Sequence, residues 1–86
     1  MIKRDFSNDE VDEFYNKIGS KVKKLRESNK VTQLELSYAM GYKSVSLVSA
    51  AELYTNKKHF NIEHIYKISK IFNKNISYFF EENSEN

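Results

Sequence analysis

The sequence predicts an all-α fold, a compact set of five helices whose first is extended. Three observations predict it. The 86 residues contain no proline and only two glycines, so little interrupts a helix except where a turn is wanted. Apolar residues recur at intervals of three and four, the period of one helix face, instead of alternating as in a half-buried strand. Residues whose short side chains satisfy the free amides of a helix start stand before five such stretches: Ser7, Thr32, Ser44, Asn61 and Asn75.

The spacing Ser7-Asn8-Asp9-Glu10 is that of a capping box, with acids in the first turn that suit the positive end of the helix dipole. A first helix is expected from there to about Ser28, with Val11, Phe14 or Tyr15, Ile18, Val22 and Leu25 toward the core. Lys17, Lys21, Lys23 and Lys24 line the rest of it. Residues 28–30 end the helix, and Val31 packs under the turn that follows. Thr32-Gln33-Leu34-Glu35 is a second capping box, so a helix should start at Gln33 with Leu34, Leu36, Ala39 and Met40 as its apolar face. Gly41 can close it in the left-handed conformation. Ser44 then caps a third helix: Val45, Leu47, Val48, Ala51 and Leu53 supply a buried side, opposite Ser46, Ser49 and Ala50.

After a polar loop, Asn61 caps a fourth helix with Ile62, Ile65, Ile68 and Phe72 inward, and Asn73 is the residue most tolerant of a left-handed stop after glycine. Asn75 caps a short fifth helix, to about Glu81, that carries Ile76, Tyr78, Phe79 and Phe80. Residues 1–16 are read as an N-terminal extension that begins the first helix, 17–81 as the domain, and 82–86 as a flexible acidic tail.

Residues 32–52, two short helices joined by a glycine-marked turn, resemble the helix-turn-helix of the Cro-like and lambda-repressor-like (XRE-type) DNA-binding domains. In that family a Thr-Gln opens the second helix, a glycine marks the turn, a hydrophobic-Ser pair sits in the middle of the recognition helix, and a glutamate closes it. Here these are Thr32-Gln33, Gly41, Val48-Ser49 and Glu52. Leu25-Arg26 stands where the family keeps an arginine that pairs with the closing glutamate, and residues 62–80 are similar to its fourth and fifth helices. The resemblance implies a lambda-repressor-like fold, a structural salt bridge between Arg26 and Glu52, and a recognition helix over about residues 44–53 lying in the major groove of duplex DNA.

By position, Val45, Ser46, Ser49 and Ala50 match the family's base-reading residues, with Lys43 and Ser44 beside them. None is Arg, Gln or Asn, so bidentate reading of guanine or adenine is not available. Methyl contacts from Val45 and Ala50 and hydroxyl contacts from the serines remain, which points mildly to an AT-rich site. Gln33 resembles the family's phosphate contact, and Thr55, Asn56, Lys57 and Lys58 follow the recognition helix in a loop that is long for the pattern and lacks its glycine.

Charge agrees with this reading. Residues 17–74 carry +8, whereas residues 1–16 and 75–86 carry −3 each, for a net +2. A basic body attracts phosphate, although lysines also solubilise a surface rich in Ile and Phe. No cysteine is present, so disulfides and thiolate metal sites are excluded. His59 and His64 lack the companions of a metal set, and no nucleophile elbow, phosphate loop or carboxylate pair suggests an enzyme or a cofactor. No apolar run approaches the ~20 residues of a membrane span and the N-terminus lacks a signal-peptide core, so a cytoplasmic protein is expected. Tyr78 and Phe80 are the candidates for a homodimer interface, a dimer reading two half-sites about one DNA turn apart. The expected function is a sequence-specific transcriptional regulator that represses by occupancy. The alternative is a helix-turn-helix scaffold used as a protein-interaction module, of antitoxin-like or phage-type accessory kind.

Overall fold

The structure is a computed structural model that describes residues 2–3 and 5–82. Its helices are α1 (Asn8–Ser28), α2 (Gln33–Ala39), α3 (Ser46–Leu53) and α4 (Ile62–Ile71), with 3-10 turns at Thr55–Lys57 and Ile76–Phe80. No strand occurs among the described residues. Of the tail expected at residues 82–86, all but Glu82 lies outside the described residues.

The starts and stops follow the local chemistry of the chain. Ser7 Oγ accepts the Glu10 amide at 3.0 Å. The reciprocal half of that capping box is missing, because the Glu10 carboxylate takes the Lys3 ammonium at 3.1 Å instead. At α2 both halves form: Thr32 Oγ1 accepts from Glu35 N at 3.0 Å and Glu35 Oε1 from Thr32 N at 2.8 Å. Gly41, at φ 97°, closes α2 in a left-handed stop with its amide on the Tyr38 carbonyl and that of Tyr42 on the Ser37 carbonyl. Asn73 does the same for α4 at φ 56°, with the Lys74 amide on the Ser69 carbonyl at 2.8 Å. The N-cap of α3 is Val45, one residue later than the Ser44 expected from the sequence and without a side-chain cap, although Ser44 Oγ accepts the Ser46 amide at 3.0 Å.

The fifth helix is a 3-10 turn. Asn75 caps it through the Ser77 amide at 3.2 Å, and the Tyr78 amide returns to the Asn75 carbonyl at 2.9 Å. Five residues are too few for a ladder of α-type bonds to offset the cost of nucleation, so the tighter turn prevails.

The core unites Ile18, Val22 and Leu25 of α1 with Leu36, Met40, Val48, Ala51, Phe60, Ile65, Ile68 and Phe79. Val11 and Phe14 are not in it, being 41% and 48% exposed. Helix α1 runs past its neighbours at its N-terminal end, and only Tyr15 of those early turns packs on the core. Ile62 is 68% exposed because it sits in the first turn of α4 beside a solvent-facing cap; Leu34 is exposed in the matching turn of α2. Phe60 takes the buried place instead. It precedes the cap Asn61 and enters the core with Ile65, the residue pair of a hydrophobic staple.

Helices α1 and α3 meet at Gly19, where backbone touches backbone. A Cβ there would lie 2.6 Å from the Ala51 carbonyl oxygen and 2.7 Å from that of Glu52. Ser37, fully buried, ties α2 to the turn by donating its hydroxyl to the Ser44 carbonyl.

Gly19→Ala should destabilise the domain by about 1–3 kcal/mol through overpacking, even though alanine favours helix by about 1 kcal/mol; a urea midpoint that does not fall would contradict the close approach. A second expectation concerns pH. The α4 cap needs an unprotonated His64, whose Nδ1 accepts the Asn61 amide at 3.0 Å, and burial lowers its pKa below the ordinary 6.5. The unfolded chain therefore takes up the proton first, so this contribution is full above 6.5 and is lost as pH falls through the lowered value. His64→Glu keeps a reach-back acceptor at the same position, and thermal melts between about pH 7.5 and 5.5 should show a shallower loss of Tm than the parent chain.

Candidate nucleic-acid interface

Arg26 fixes the geometry of the region. Its Nε donates to Glu52 Oε2 at 2.7 Å and its Nη2 to Oε1 at 3.1 Å, a bidentate pair joining α1 to α3. Nη1 donates to the Val31 carbonyl at 2.9 Å. Glu52 is only 2% exposed, and Gln33 Nε2 adds a third donor to its carboxylate at 2.9 Å. The hydrogen bond with Glu52 raises the Arg26 pKa still further, outweighing the burial that lowers it. Gln33, marked from the sequence for phosphate, thus has its half-buried side chain oriented by Glu52 at the start of α2.

With Val48, Ala51 and Glu52 buried, α3 turns the other way a face on which Val45, Ser46 and Leu53 are exposed and Ser49 and Ala50 half-buried. These positions follow the three-and-four spacing of a single face. Two of the inward expectations therefore fail: Val45 is exposed, and Leu53 is 64% exposed at the far end of the outer face. The face carries no charge. Its hydroxyls are partly occupied, since Ser44 Oγ donates to Ser46 Oγ at 2.8 Å and Ser49 Oγ to the Ser46 carbonyl at 3.3 Å. What remains for an external partner is the Ser46 hydroxyl hydrogen, acceptor capacity on Ser49, and the methyl groups of Val45 and Ala50. Lys43 is exposed in the turn ahead of this face.

Past the other end of α3, Thr55, Asn56, Lys57 and Lys58 are all exposed. Tyr54, Asn56 and Lys57 have φ of 58°, 52° and 62°, a left-handed backbone that non-glycine residues adopt at a cost of about 1–2 kcal/mol each. The extension of α1 holds this loop in place. Tyr54 Oη donates to Asp12 Oδ1 at 2.7 Å, which raises the Tyr54 pKa, and Lys57 Nζ lies 3.7 Å from the same oxygen. Tyr15 stacks on the His59 ring with centroids 3.9 Å apart, and His59 Nδ1 lies 3.0 Å from the Lys57 carbonyl oxygen. Asp12, Tyr15, Tyr54 and His59 carry no familiar motif; the only signal for two of them was the spacing of Asp12 and Tyr15 on one helix face.

The sequence-predicted residues fall in two places. Gln33, Lys43, Ser44, Val45, Ser46, Ser49, Ala50 and residues 55–58 gather around α3. Tyr78 and Phe80 belong to the terminal turn and diverge: Tyr78 is half-buried, with Lys21 and Lys74 Nζ 4.8 and 5.1 Å from its ring centre. Phe80 is exposed and stacks on Phe14, centroids 6.3 Å apart. Among the described residues no group of three or more His, Cys, Asp or Glu could hold a metal ion.

Two short helices, α2 and α3, tied together by Gln33 on Glu52 and locked to α1 by the buried Arg26–Glu52 ion pair, with the outer face of the second turned away from the core, define an all-α domain of lambda-repressor-like, helix-turn-helix architecture. The family model described as Helix-turn-helix matches residues 22–79, and the chain belongs to that family of DNA-binding regulators. Comparisons with curated proteins and with solved structures gave no match. The family match begins at Val22, so Asp12, Phe14 and Tyr15 lie outside it.

Removing either member of the ion pair strands a buried charge, and Arg26→Ala or Glu52→Ala should each cost about 3–5 kcal/mol. The double change Arg26→Met with Glu52→Leu should be more stable than either single variant, by the same reasoning. Chemical denaturation of the three variants checks both statements.

Proposed function

We propose that the protein is a sequence-specific DNA-binding repressor that seats α3 in the major groove and acts by occupying its site. The observation that carries this reading is the uncovered outer face of α3, held rigidly from behind and flanked by Lys43 at one end and Lys57-Lys58 at the other. Phosphate contacts from those lysines, from Thr55 and Asn56 and from Gln33 at the start of α2 would set the register. Ser44, Val45, Ser46, Ser49 and Ala50 would meet the base edges, where methyl and hydroxyl contacts favour thymine-rich sequence and groove shape supplies further selectivity.

The working form in this proposal is a homodimer. The Phe14–Phe80 pair, with both rings exposed, supports Phe80 as part of its interface more than Tyr78, whose ring packs inward beneath two lysines. One specific feature favours a second reading, a protein-interaction module: Leu53 and Val45 make the two ends of the α3 face apolar, and no side chain on that face is charged. Polarisation titrations against duplex fragments at low and moderate salt separate the two, since absence of binding at low salt would remove the DNA reading.

Lys57→Ala combined with Lys58→Ala should weaken binding to all duplex sequences alike and flatten the slope of log K against log salt by about 1.8, roughly 0.9 for each lost phosphate contact. Unchanged affinity in the same titrations would show that the phosphate grip lies elsewhere.

A further inference from the structure

The N-terminal turns of α1 reach the loop that follows α3, and they bring a carboxylate with them. Asp12 stands on α1, outside the region matched by the family model, yet its Oδ1 accepts from Tyr54 Oη at 2.7 Å and lies 3.7 Å from Lys57 Nζ. The two contacts differ in kind. The hydroxyl bond is short and part-buried, whereas the ammonium pair is longer and its lysine is exposed.

We propose that Asp12 is a positioning residue of the DNA interface, a carboxylate that holds Lys57 beside the loop in the unbound protein and yields it to a backbone phosphate on binding. The inference rests on the DNA-binding reading and deepens it, because it assigns the helix extension a part in setting affinity. An exposed ion pair of this length is weak and is readily exchanged for a phosphate. The Tyr54 bond does not depend on Lys57, so the loop keeps its left-handed form while the lysine swings away. The extension therefore braces the phosphate loop and restrains it with the same side chain.

The test uses the full chain and a fluorescent random-sequence duplex, titrated across a salt series. Asp12→Asn preserves an acceptor for Tyr54 Oη and removes the charge. It should bind about two- to fivefold more tightly at low salt, a gain that shrinks as added salt screens the pair in the parent chain. In a Lys57→Ala background the same substitution should change affinity less than about twofold, because the coupling runs through that lysine. Tyr54→Phe serves as the second variant: it cuts the brace while keeping both charges, and it should leave the salt slope unaltered. Equal affinity of Asp12→Asn and the parent, weaker binding by Asp12→Asn, or a full gain persisting without Lys57 each overturns the proposal while the DNA-binding reading stands. If the parent chain itself does not bind the duplex at low salt, both fall together.

Discussion

The pair between Arg26 and Glu52 is the contact on which the rest of the arrangement depends. It joins the end of the longest helix to the end of the helix whose outer face is left open, and Gln33 brings in the start of α2 as the third member. Burying two charges is unfavourable, and their attraction offsets that loss only where geometry is good and the remaining polar atoms are satisfied. Here both carboxylate oxygens have donors, and the third guanidinium nitrogen finds the Val31 carbonyl. No buried polar side-chain atom among the described residues lacks a partner. A hydrophobic pair could supply similar stability but would tolerate sliding. The bidentate pair fixes distance and direction together, so α3 is presented at one angle.

That rigidity ends at Tyr54. The three left-handed residues after α3 are Tyr, Asn and Lys, none relieved by glycine, so the loop must be held by contacts from outside itself. The extended first helix makes them. Asp12 and Tyr15 lie on one face of α1, three residues apart, and reach Tyr54 and His59 together. The price is a carboxylate placed next to the lysines that the basic body presents. Segregated charge along the chain thus becomes local opposition in the fold: Lys57 faces Asp12, and Lys17 pairs with Glu82 at 2.7 Å.

Most helix boundaries were legible because caps are local chemistry. Thr32 with Glu35, Gly41, Asn61 and Asn73 each act within a few residues of their own position, and the spacing of side chains is enough to find them. The ion pair was legible only through family resemblance, since nothing in the separation of Arg26 from Glu52 indicates contact. The close approach at Gly19, the buried Ser37 and the brace at Asp12 were not legible. The contacts at Gly19 and Asp12 join elements far apart in sequence, Ser37 reaches only seven residues along to Ser44, and all three depend on chain geometry that periodicity does not encode. Val11 and Phe14 show the same limit from the other side. Their spacing is that of a core stripe, but a stripe is buried only as far as the partner helices extend.

The outer face of α3 has a consequence for how such a domain could discriminate between sequences. Without a forked donor such as Arg, Asn or Gln, each base contact is a methyl contact or a single hydroxyl bond, weaker than the roughly 1–3 kcal/mol of a bidentate pair. Phosphate contacts add affinity but carry no sequence information directly. Selectivity in a duplex-binding role must then come from many small terms that depend on exact seating, including groove width and the deformability of the site. Small terms of that kind count only if the helix does not rock in the groove. In that role a locked α3 and a braced loop would meet the requirement, and the buried pair and the extended helix would bear on specificity without touching a base.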